Sequence, residues 1–204
     1  MTATTTDRAS RPRVEGDREQ EILDGVIDLL IEVGYDRLTF DTLAAHVRAS
    51  KATLYRKWES KPELVMAAVE HLFHKATGPH GESPDTGSLL GDLEAVFCTS
   101  APMLDQLPGV LAATLPALHR DPELKDLFVD RFIRPKTDNL LLMLGRAQTR
   151  GELGPDADLR TLASILPAMN FHRVLVEGIC PDEAYVRNVI HEVLLPACRA
   201  TLRD

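Results

Sequence analysis

The residues best equipped for chemistry stand together in one short stretch, RASKATLYRKWESKPE, at positions 48–63. It contains five Lys or Arg and two Glu, in a chain whose formal net charge is −8. It also contains Tyr55 and Trp58, the latter being the only tryptophan. A local cluster of cations among hydroxyl groups suits a phosphate backbone. The alternative is a solvated helix face, which many basic runs form.

The negative charge of the chain is concentrated outside this stretch. Residues 48–61 carry five basic side chains and one acidic side chain. Residues 1–61 as a whole carry 10 basic and 11 acidic side chains, and residues 62–204 carry 13 and 20. The distribution therefore favours a local anion-binding surface on an otherwise acidic molecule.

The composition bounds the class of protein. With 204 residues, 44% apolar and 26% charged, the chain is typical of one medium or two small globular domains. No apolar run approaches the roughly 20 residues that span a bilayer, and the N-terminus lacks the apolar core of a secretory signal. We therefore expect a cytoplasmic protein without membrane contact. The three widely spaced cysteines predict free thiols rather than disulfides or a zinc site.

Three short helices and the start of a fourth must position the basic stretch. The spacing of apolar residues predicts these helices at about 18–33, 40–47, 51–57 and 61–75. Asp17 is predicted to cap the first helix, with Gln20 completing a capping box, and Gly34 is predicted to end it. Ser50 and Ser60 are predicted to cap the third and fourth helices.

The third helix has two distinct faces. Leu54 and Trp58 lie four residues apart on one face, where they can close a small core with Ala44 and Val47. The opposite face is small or hydrogen-bonding at its start and cationic at its end: Ala52, Thr53, Tyr55 and Arg56. Two short helices joined by a tight turn, the second presenting such a face, form a helix-turn-helix. The second helix of that motif fits the major groove of B-DNA.

The rest of the chain is predicted to be helical as well. After a Gly- and Pro-rich break at 76–87, helices are expected at about 88–104, 108–119, 122–150, 156–178 and 182–202. Pro135 and Pro167 are expected to kink two of them. No alternating run of any length occurs, so the predicted fold class is all-α.

The segment LTFDTLAAHVRASKATLYRKWESKPELVMAAV resembles the DNA-binding domain of TetR-type transcriptional repressors. The resemblance covers about residues 17–70. It implies a homodimer of nine-helix subunits, whose helix at 51–57 reads half of a double-stranded DNA operator. The residues assigned to DNA by this face and this resemblance are Thr39, Arg48, Ser50, Lys51, Ala52, Thr53, Tyr55, Arg56, Lys57 and Lys61. The chain would then divide into a disordered arm (1–16), a DNA-binding domain (17–60) and a regulatory and dimerisation domain (61–204).

The turn of the motif departs from the family pattern. Where the family often has Gly, this chain has Val47-Arg48-Ala49. A non-glycine residue in a left-handed conformation costs about 1 kcal/mol. Either the turn geometry shifts or the fold tolerates the strain.

The segment TRGELGPDADLRTLASILPAMNFHRVLVEG resembles, more loosely, the ligand-binding half of such repressors. The resemblance implies release from DNA by a small apolar or amphipathic effector, and a dimer formed by the last two helices. The candidate pocket residues are Phe97, Met103, His119, Phe128, Phe132, Met143, Met169, Asn170 and Phe171. The candidate dimer residues are Leu162, Ile165, Leu166, Met169, Val186, Val189, Ile190, Val193 and Leu194.

Each of these sets has a purely structural alternative. The apolar stripes can pack inward within one chain, and Met and Phe at helical spacing also build cores. Asn170 and His172 stand among apolar neighbours and need polar partners, in the core, at an interface or on a ligand.

An enzyme is the competing class, and the sequence offers little for it. It contains no nucleophile elbow, phosphate loop, metal triad or pair of catalytic carboxylates. Cys98 and His119 lack a third orienting group, and His71 and His74 lack further metal ligands. We therefore expect no enzymatic activity, metal or cofactor. A small-molecule-binding helical protein, or an accessory subunit without sequence-specific DNA binding, remains the alternative to a regulator.

Overall fold

The computed structural model describes residues 16–77, 83–98 and 105–202, and this part of the chain contains helices and no strands. In chain order, the helices are α1 (Asp17–Arg37), α2 (Phe40–His46), α3 (Lys51–Lys57), α4 (Lys61–Thr77), α5 (Leu89–Phe97), α6 (Leu107–Thr114), α7 (Pro122–Phe128), α8 (Arg134–Thr149), α9 (Leu159–His172), α10 (Glu183–Val189) and α11 (Leu195–Ala200). A 3₁₀ turn follows α6 at Leu115–His119. Three π-helical segments follow α7, α9 and α10, at Val129–Ile133, Arg173–Glu177 and Ile190–Leu194. The predicted all-α class is confirmed.

The N-terminal helices follow the predicted bounds closely, with one wrong cap. Helix α3 spans the predicted residues, and Ser50 is its N-cap. The predicted cap of α1 is wrong, because Gly16 is the N-cap and Asp17 already lies inside the helix, with no side-chain cap bond. Gly34 has φ 77° and ψ 164°, so the regular part of α1 ends there as predicted and the chain continues through one further turn.

The later helical segments run close to the predicted bounds, but π-helical turns divide or end three of them. Continuous helical backbone covers 122–149, 159–177 and 183–200, where helices are predicted at about 122–150, 156–178 and 182–202. Helix α5 ends at Phe97, and the remainder of the predicted helix at 88–104 lies largely outside the described residues. Pro135 stands in the first turn of α8, directly after a π-helical segment, and Pro167 lies inside α9. The predicted arm at 1–16 lies outside the described residues except for Gly16.

The described residues bury two apolar cores. The first joins α1–α4 to α6, α7, Phe132 and Val174. The second joins α5, α8, α9, α10 and α11. The predicted domain boundary at 60/61 therefore passes through the first core, because α1 packs against both α4 and α6. None of the described helices combines the length and hydropathy needed to cross a bilayer.

Candidate nucleic-acid interface

Helix α3 is anchored to the first core by its inward face. Leu54 is fully buried, and Trp58 at the end of the helix is 4% exposed. Ala44 and Val47, from α2 and the turn after it, pack against the same core. Burying one Leu side chain stabilises a fold by about 1.5–3 kcal/mol. This burial confirms the predicted inward pair and fixes which face of α3 meets solvent.

The outward face of α3 is cationic and accessible. Its exposed members are Lys51, Ala52, Tyr55, Arg56 and Lys57. Lys51 Nζ lies 2.8 Å from Asp41 Oδ2, and this hydrogen bond raises the pKa of Lys51. Lys57 Nζ lies 3.0 Å from Glu19 Oε2, whereas Arg56 forms no ion pair with any residue that the structure describes. Exposed pairs contribute little to stability, so a phosphate can take the place of these carboxylates.

Hydroxyl caps define the starts of α2 and α3. Ser50 Oγ accepts the backbone N–H of Thr53 at 3.1 Å and lies 2.6 Å from the Thr53 hydroxyl. Thr39 and Thr42 exchange the two bonds of a capping box at the start of α2. These bonds give Ser50 and Thr39 a structural role as helix caps. Their contacts with phosphate stay predictions.

Tyr55 is held in place by an aromatic neighbour that sequence reasoning missed. Its ring stacks on Phe40, with centroids 4.1 Å apart and planes at 19°. Phe40 is buried, whereas Tyr55 is 48% exposed. The stack orders the tyrosine while leaving about half of its surface exposed to solvent. In the sequence, this contact is indicated only by an aromatic residue, Phe40, directly after the predicted phosphate-contacting residue Thr39.

The turn between α2 and α3 is strained and braced from α1. Arg48 has φ 50°, so the fold tolerates a non-glycine residue in the left-handed region. Arg18 Nη2 donates to the carbonyl of Val47 at 2.6 Å and lies 3.4 Å from that of Arg48. Gly25 faces Val47 so closely that an added Cβ would overlap its Cγ1 methyl. No local pattern points to Arg18 or Gly25, because both act on residues more than twenty positions away.

Lys61 is engaged inside the protein. Its Nζ donates to the Tyr35 carbonyl at 3.1 Å and lies 4.1 Å from the centre of the Tyr35 ring. The predicted contact of Lys61 with phosphate stays a prediction. Both of these contacts of the Lys61 ammonium group are with Tyr35, in the last turn of α1.

The structure describes eight of the nine predicted pocket residues and places them in two cores and at the surface. Those in or against the first core are Phe128, Phe132 and Phe171. Those in or against the second core are Phe97 and Met143. His119 and Met169 are exposed, Asn170 is half-buried, and Met103 lies outside the described residues. The part that these residues play in binding an effector stays a prediction.

A cavity of about 220 Å³ lies between α4 and the segment joining α7 to α8, and it includes one predicted residue, Phe132. Its lining residues are Glu70, Phe73, His74, Arg131, Phe132 and Lys136. Lys136 Nζ lies 3.7 Å from the centre of the Phe132 ring and 5.0 Å from that of Phe73. Burial lowers the pKa of Lys136 to about 8 and raises that of Glu70.

Most of the predicted dimer residues pack inward within one chain. The members that are at most 7% exposed are Leu162, Leu166, Val186, Val189, Ile190 and Leu194. They belong to the second core and have almost no surface to offer another chain. Ile165 is half-buried, whereas Met169 and Val193 are 36% and 39% exposed. Only these three have surface left for a dimer contact.

The described residues show no metal-ligand group of three or more His, Cys, Asp or Glu side chains. His71 instead lies within hydrogen-bonding distance of Asp24, with Nε2 3.1 Å from Oδ1. The chemistry that the geometry supports is noncovalent. The outward face of α3 presents a guanidinium with no ion pair among the described residues, two ammonium groups in exposed ion pairs and the small residue Ala52. Such a face suits phosphates and the edges of bases.

Comparison with known proteins agrees with this geometry. Residues 22–68 match the family model described as bacterial regulatory proteins, tetR family, and residues 83–193 match a tetracyclin repressor-like C-terminal domain. The chain is 34% identical over 191 residues to an uncharacterised HTH-type transcriptional regulator of Mycobacterium tuberculosis, covering 94% of this chain and 93% of that protein. It is 34% identical over 187 residues to the DNA-binding transcriptional repressor TetR of Mycobacteroides abscessus, covering 91% and 96%.

A solved structure shares the fold. A transcriptional regulator from Saccharomonospora viridis, crystallised in complex with choline, aligns with a TM-score of 0.57 at 18% identity. The alignment covers 87% of this chain and 95% of that one. At this identity the likeness concerns the fold alone.

Proposed function

The chain belongs to the TetR family of bacterial transcriptional regulators, and on that premise we propose that it is a homodimeric repressor of a pseudo-palindromic operator. The family and the matched relatives are DNA-binding regulators rather than enzymes. The proposal goes further, to the dimer, the direction of regulation and an effector. The dimer and the effector are argued from features of the molecule, and the direction of regulation is carried over from the Mycobacteroides abscessus relative named a repressor.

The observation that carries the proposal is the outward face of α3. Arg56, unpaired among the described residues, stands beside exposed Ala52 and Tyr55 on a helix whose opposite face is buried. A guanidinium at a base edge binds guanine through two hydrogen bonds, and a small residue lets the helix approach. Lys51 and Lys57 each form a single ion pair, with exposed Asp41 and half-buried Glu19, and are suited to the phosphates on either side.

The surface of the C-terminal half supports the proposal of a homodimer. Met169 and Val193 are exposed apolar residues on segments that pack against each other, α9 and Ile190–Leu194. Asn170 Oδ1 is buried without a hydrogen-bond partner among the described residues. A partner chain covering this surface would remove apolar area from water and could supply the missing donor. The two copies would place their α3 helices about 34–36 Å apart, in successive major grooves.

A gel-shift titration tests this function. The DNA immediately upstream of the gene is the first probe, at several salt concentrations, with stoichiometry read by light scattering. We expect one dimer per site and affinity that falls steeply with salt, because Lys and Arg displace condensed counterions. If a random-sequence selection also yields no enriched site, the chain is a helical binding protein or an accessory subunit instead.

We infer further that a small molecule releases the protein from DNA. The choline complex of the Saccharomonospora viridis regulator shows that a protein of this fold can hold a small ligand. In this chain the effector would act on the aromatic residues of the two cores, or on the 220 Å³ cavity that contains Phe132. Native mass spectrometry of the purified protein would show a bound molecule. A protein that carries none, and that no small-molecule library displaces from the operator, would be a regulator without an effector.

A further inference from the structure

A polar cluster joins the helix-turn-helix to the C-terminal half of the chain. After Gly34, α1 continues through one further turn that carries Tyr35, which is 4% exposed. The Tyr35 hydroxyl donates to Asp121 Oδ2 at 2.5 Å, across 86 positions of sequence. A buried phenol with such a short bond to a carboxylate is fixed in direction as well as in position.

Asp121 is itself rigidly placed. Its other oxygen, Oδ1, accepts the backbone N–H of Leu124 at 3.0 Å and so caps α7. Burial alone would raise the pKa of Asp121, but the hydrogen bonds from Tyr35 and from the backbone outweigh it and hold the pKa below its ordinary value. Burial and the bond to Asp121 raise the pKa of Tyr35. At neutral pH the donor is therefore a phenol and the acceptor a carboxylate.

Lys61 completes the cluster at the start of α4. Its ammonium lies over the Tyr35 ring and donates to the Tyr35 carbonyl, as described above. One residue earlier, Ser60 Oγ donates to Glu123 Oε1 at 2.5 Å. Only Glu59 separates Ser60 from Trp58, the C-cap of α3. The end of α1, the start of α4 and the start of α7 thus meet, and only two residues lie between the C-cap of α3 and the start of α4.

We propose that one polar cluster, the latch (Tyr35, Lys61 and Asp121), fixes the angle between the helix-turn-helix and the C-terminal half of the chain. This angle sets the spacing between half-sites that the dimer accepts. Tyr35 and Asp121 act as positioning residues, since neither belongs to the outward face of α3. The apolar contacts of α1 and α4 with α6 and α7 hold the two parts together but are non-directional. A bond between a buried phenol and a capping carboxylate is directional, so it can select one angle. This inference rests on the proposed binding of a dimer to two half-sites.

The test measures spacing preference in Tyr35→Phe. Two selected half-sites are placed at the optimal separation and at separations changed by one and two base pairs. Each added or removed base pair moves one half-site by about 3.4 Å along the DNA axis. The wild type should bind the optimal spacing most tightly. A hydrogen bond to a charged group shifts an equilibrium by about tenfold or more. We therefore expect Tyr35→Phe to reduce the ratio of optimal to shifted affinity by about that factor.

Matched variants separate the latch from a general loss of structure. Thr201→Val also removes a side-chain hydroxyl with two bonds, since Thr201 Oγ1 accepts the Gly154 N–H at 2.8 Å and donates to the Cys198 carbonyl at 2.6 Å. Thr201 belongs neither to the latch nor to the proposed dimer surface, so the spacing ratio of this variant should stay at the wild-type value. Asp121→Asn keeps an acceptor and a helix cap and should lie between wild type and Tyr35→Phe. The half-site sequence and the salt slope should be unchanged in Tyr35→Phe.

The outcomes are distinguishable from failure of the proposed function. If the wild type binds paired half-sites and Tyr35→Phe keeps its spacing ratio, the latch is refuted while the function stands. A changed salt slope or half-site sequence in Tyr35→Phe would also refute it, because the α3 surface itself would then be altered. If the wild type binds no paired half-sites, the dimeric function fails and the latch fails with it.

Discussion

Gly25 lies on the face of α1 that meets the turn between α2 and α3. A Cβ at this position would come closer than 3.0 Å to the Val47 side chain and 3.4 Å from His46 Cδ2. Val47 is β-branched and precedes the left-handed Arg48, so it has little freedom to move aside. We predict that Gly25→Ala displaces the turn and, through it, the start of α3.

The magnitude follows from two opposing effects. Ala in a helix interior is favoured over Gly by about 1 kcal/mol. Inserting a methyl group into a packed contact costs about 1–3 kcal/mol. The net effect of Gly25→Ala on the free energy of unfolding should therefore lie between no change and a loss of about 2 kcal/mol.

Gly145→Ala is the matched control, since Gly145 lies inside α8 and a Cβ there would meet nothing within 4 Å. It should gain about 1 kcal/mol in urea unfolding followed by circular dichroism. Gly25→Ala should also weaken operator binding, and Val47→Ala in the same chain should restore part of both losses by removing the methyl that clashes. Equal stabilisation by the two glycine substitutions would refute the proposed close contact.

Three further predictions concern stability and assembly. Arg48→Gly should raise the free energy of unfolding by about 1 kcal/mol in urea melts, because glycine adopts φ 50° without strain; a loss would show that the Arg48 side chain makes a stabilising contact. Burial would raise the pKa of Asp92, but hydrogen bonds from Thr86 and Arg150 outweigh burial and hold the pKa below its ordinary value. The ionised Asp92 therefore stabilises the fold above the unfolded-state pKa near 3.8, and this stabilisation is lost as pH falls through the lower folded-state pKa. Asp92→Asn should thus destabilise the protein by about 3 kcal/mol at pH 7 and by less below pH 4, and a constant difference across pH would contradict this assignment. Val193→Glu should yield a monomer by light scattering and weaken operator binding, and a dimer that persists unchanged would place the interface elsewhere.

The local features of the site could be predicted from sequence because they depend on spacing within a few residues. Leu54 and Trp58 face inward because they are four apart on a short helix, and Ser50 caps it because a hydroxyl there reaches the Thr53 N–H. The bracing of the turn could not be predicted this way. Arg18 meets the Val47 carbonyl only after α1 folds back across the motif.

The sequence did not show whether the apolar stripes of the last helices are buried within one chain or between two chains. Val186 and Ile190 lie on the predicted stripe of the last helices, yet they are buried within one chain, whereas Val193 of the same stripe is exposed. Periodicity shows that a face is buried but not by which chain. Periodicity likewise does not show which apolar residues share a core, and Phe97 and Phe128 of the predicted pocket set lie with different cores.

The most direct test of the central claim compares Arg56→Ala with Arg199→Ala on the selected operator by fluorescence anisotropy. Both variants remove one exposed arginine, but only Arg56 lies on the outward face of α3. The proposed function predicts that Arg56→Ala loses about tenfold or more in affinity and relaxes the preference at one base position, whereas Arg199→Ala binds as the wild type does. Equal affinities for the two variants, with unchanged base preference, would contradict the assignment of α3 as the DNA-reading helix.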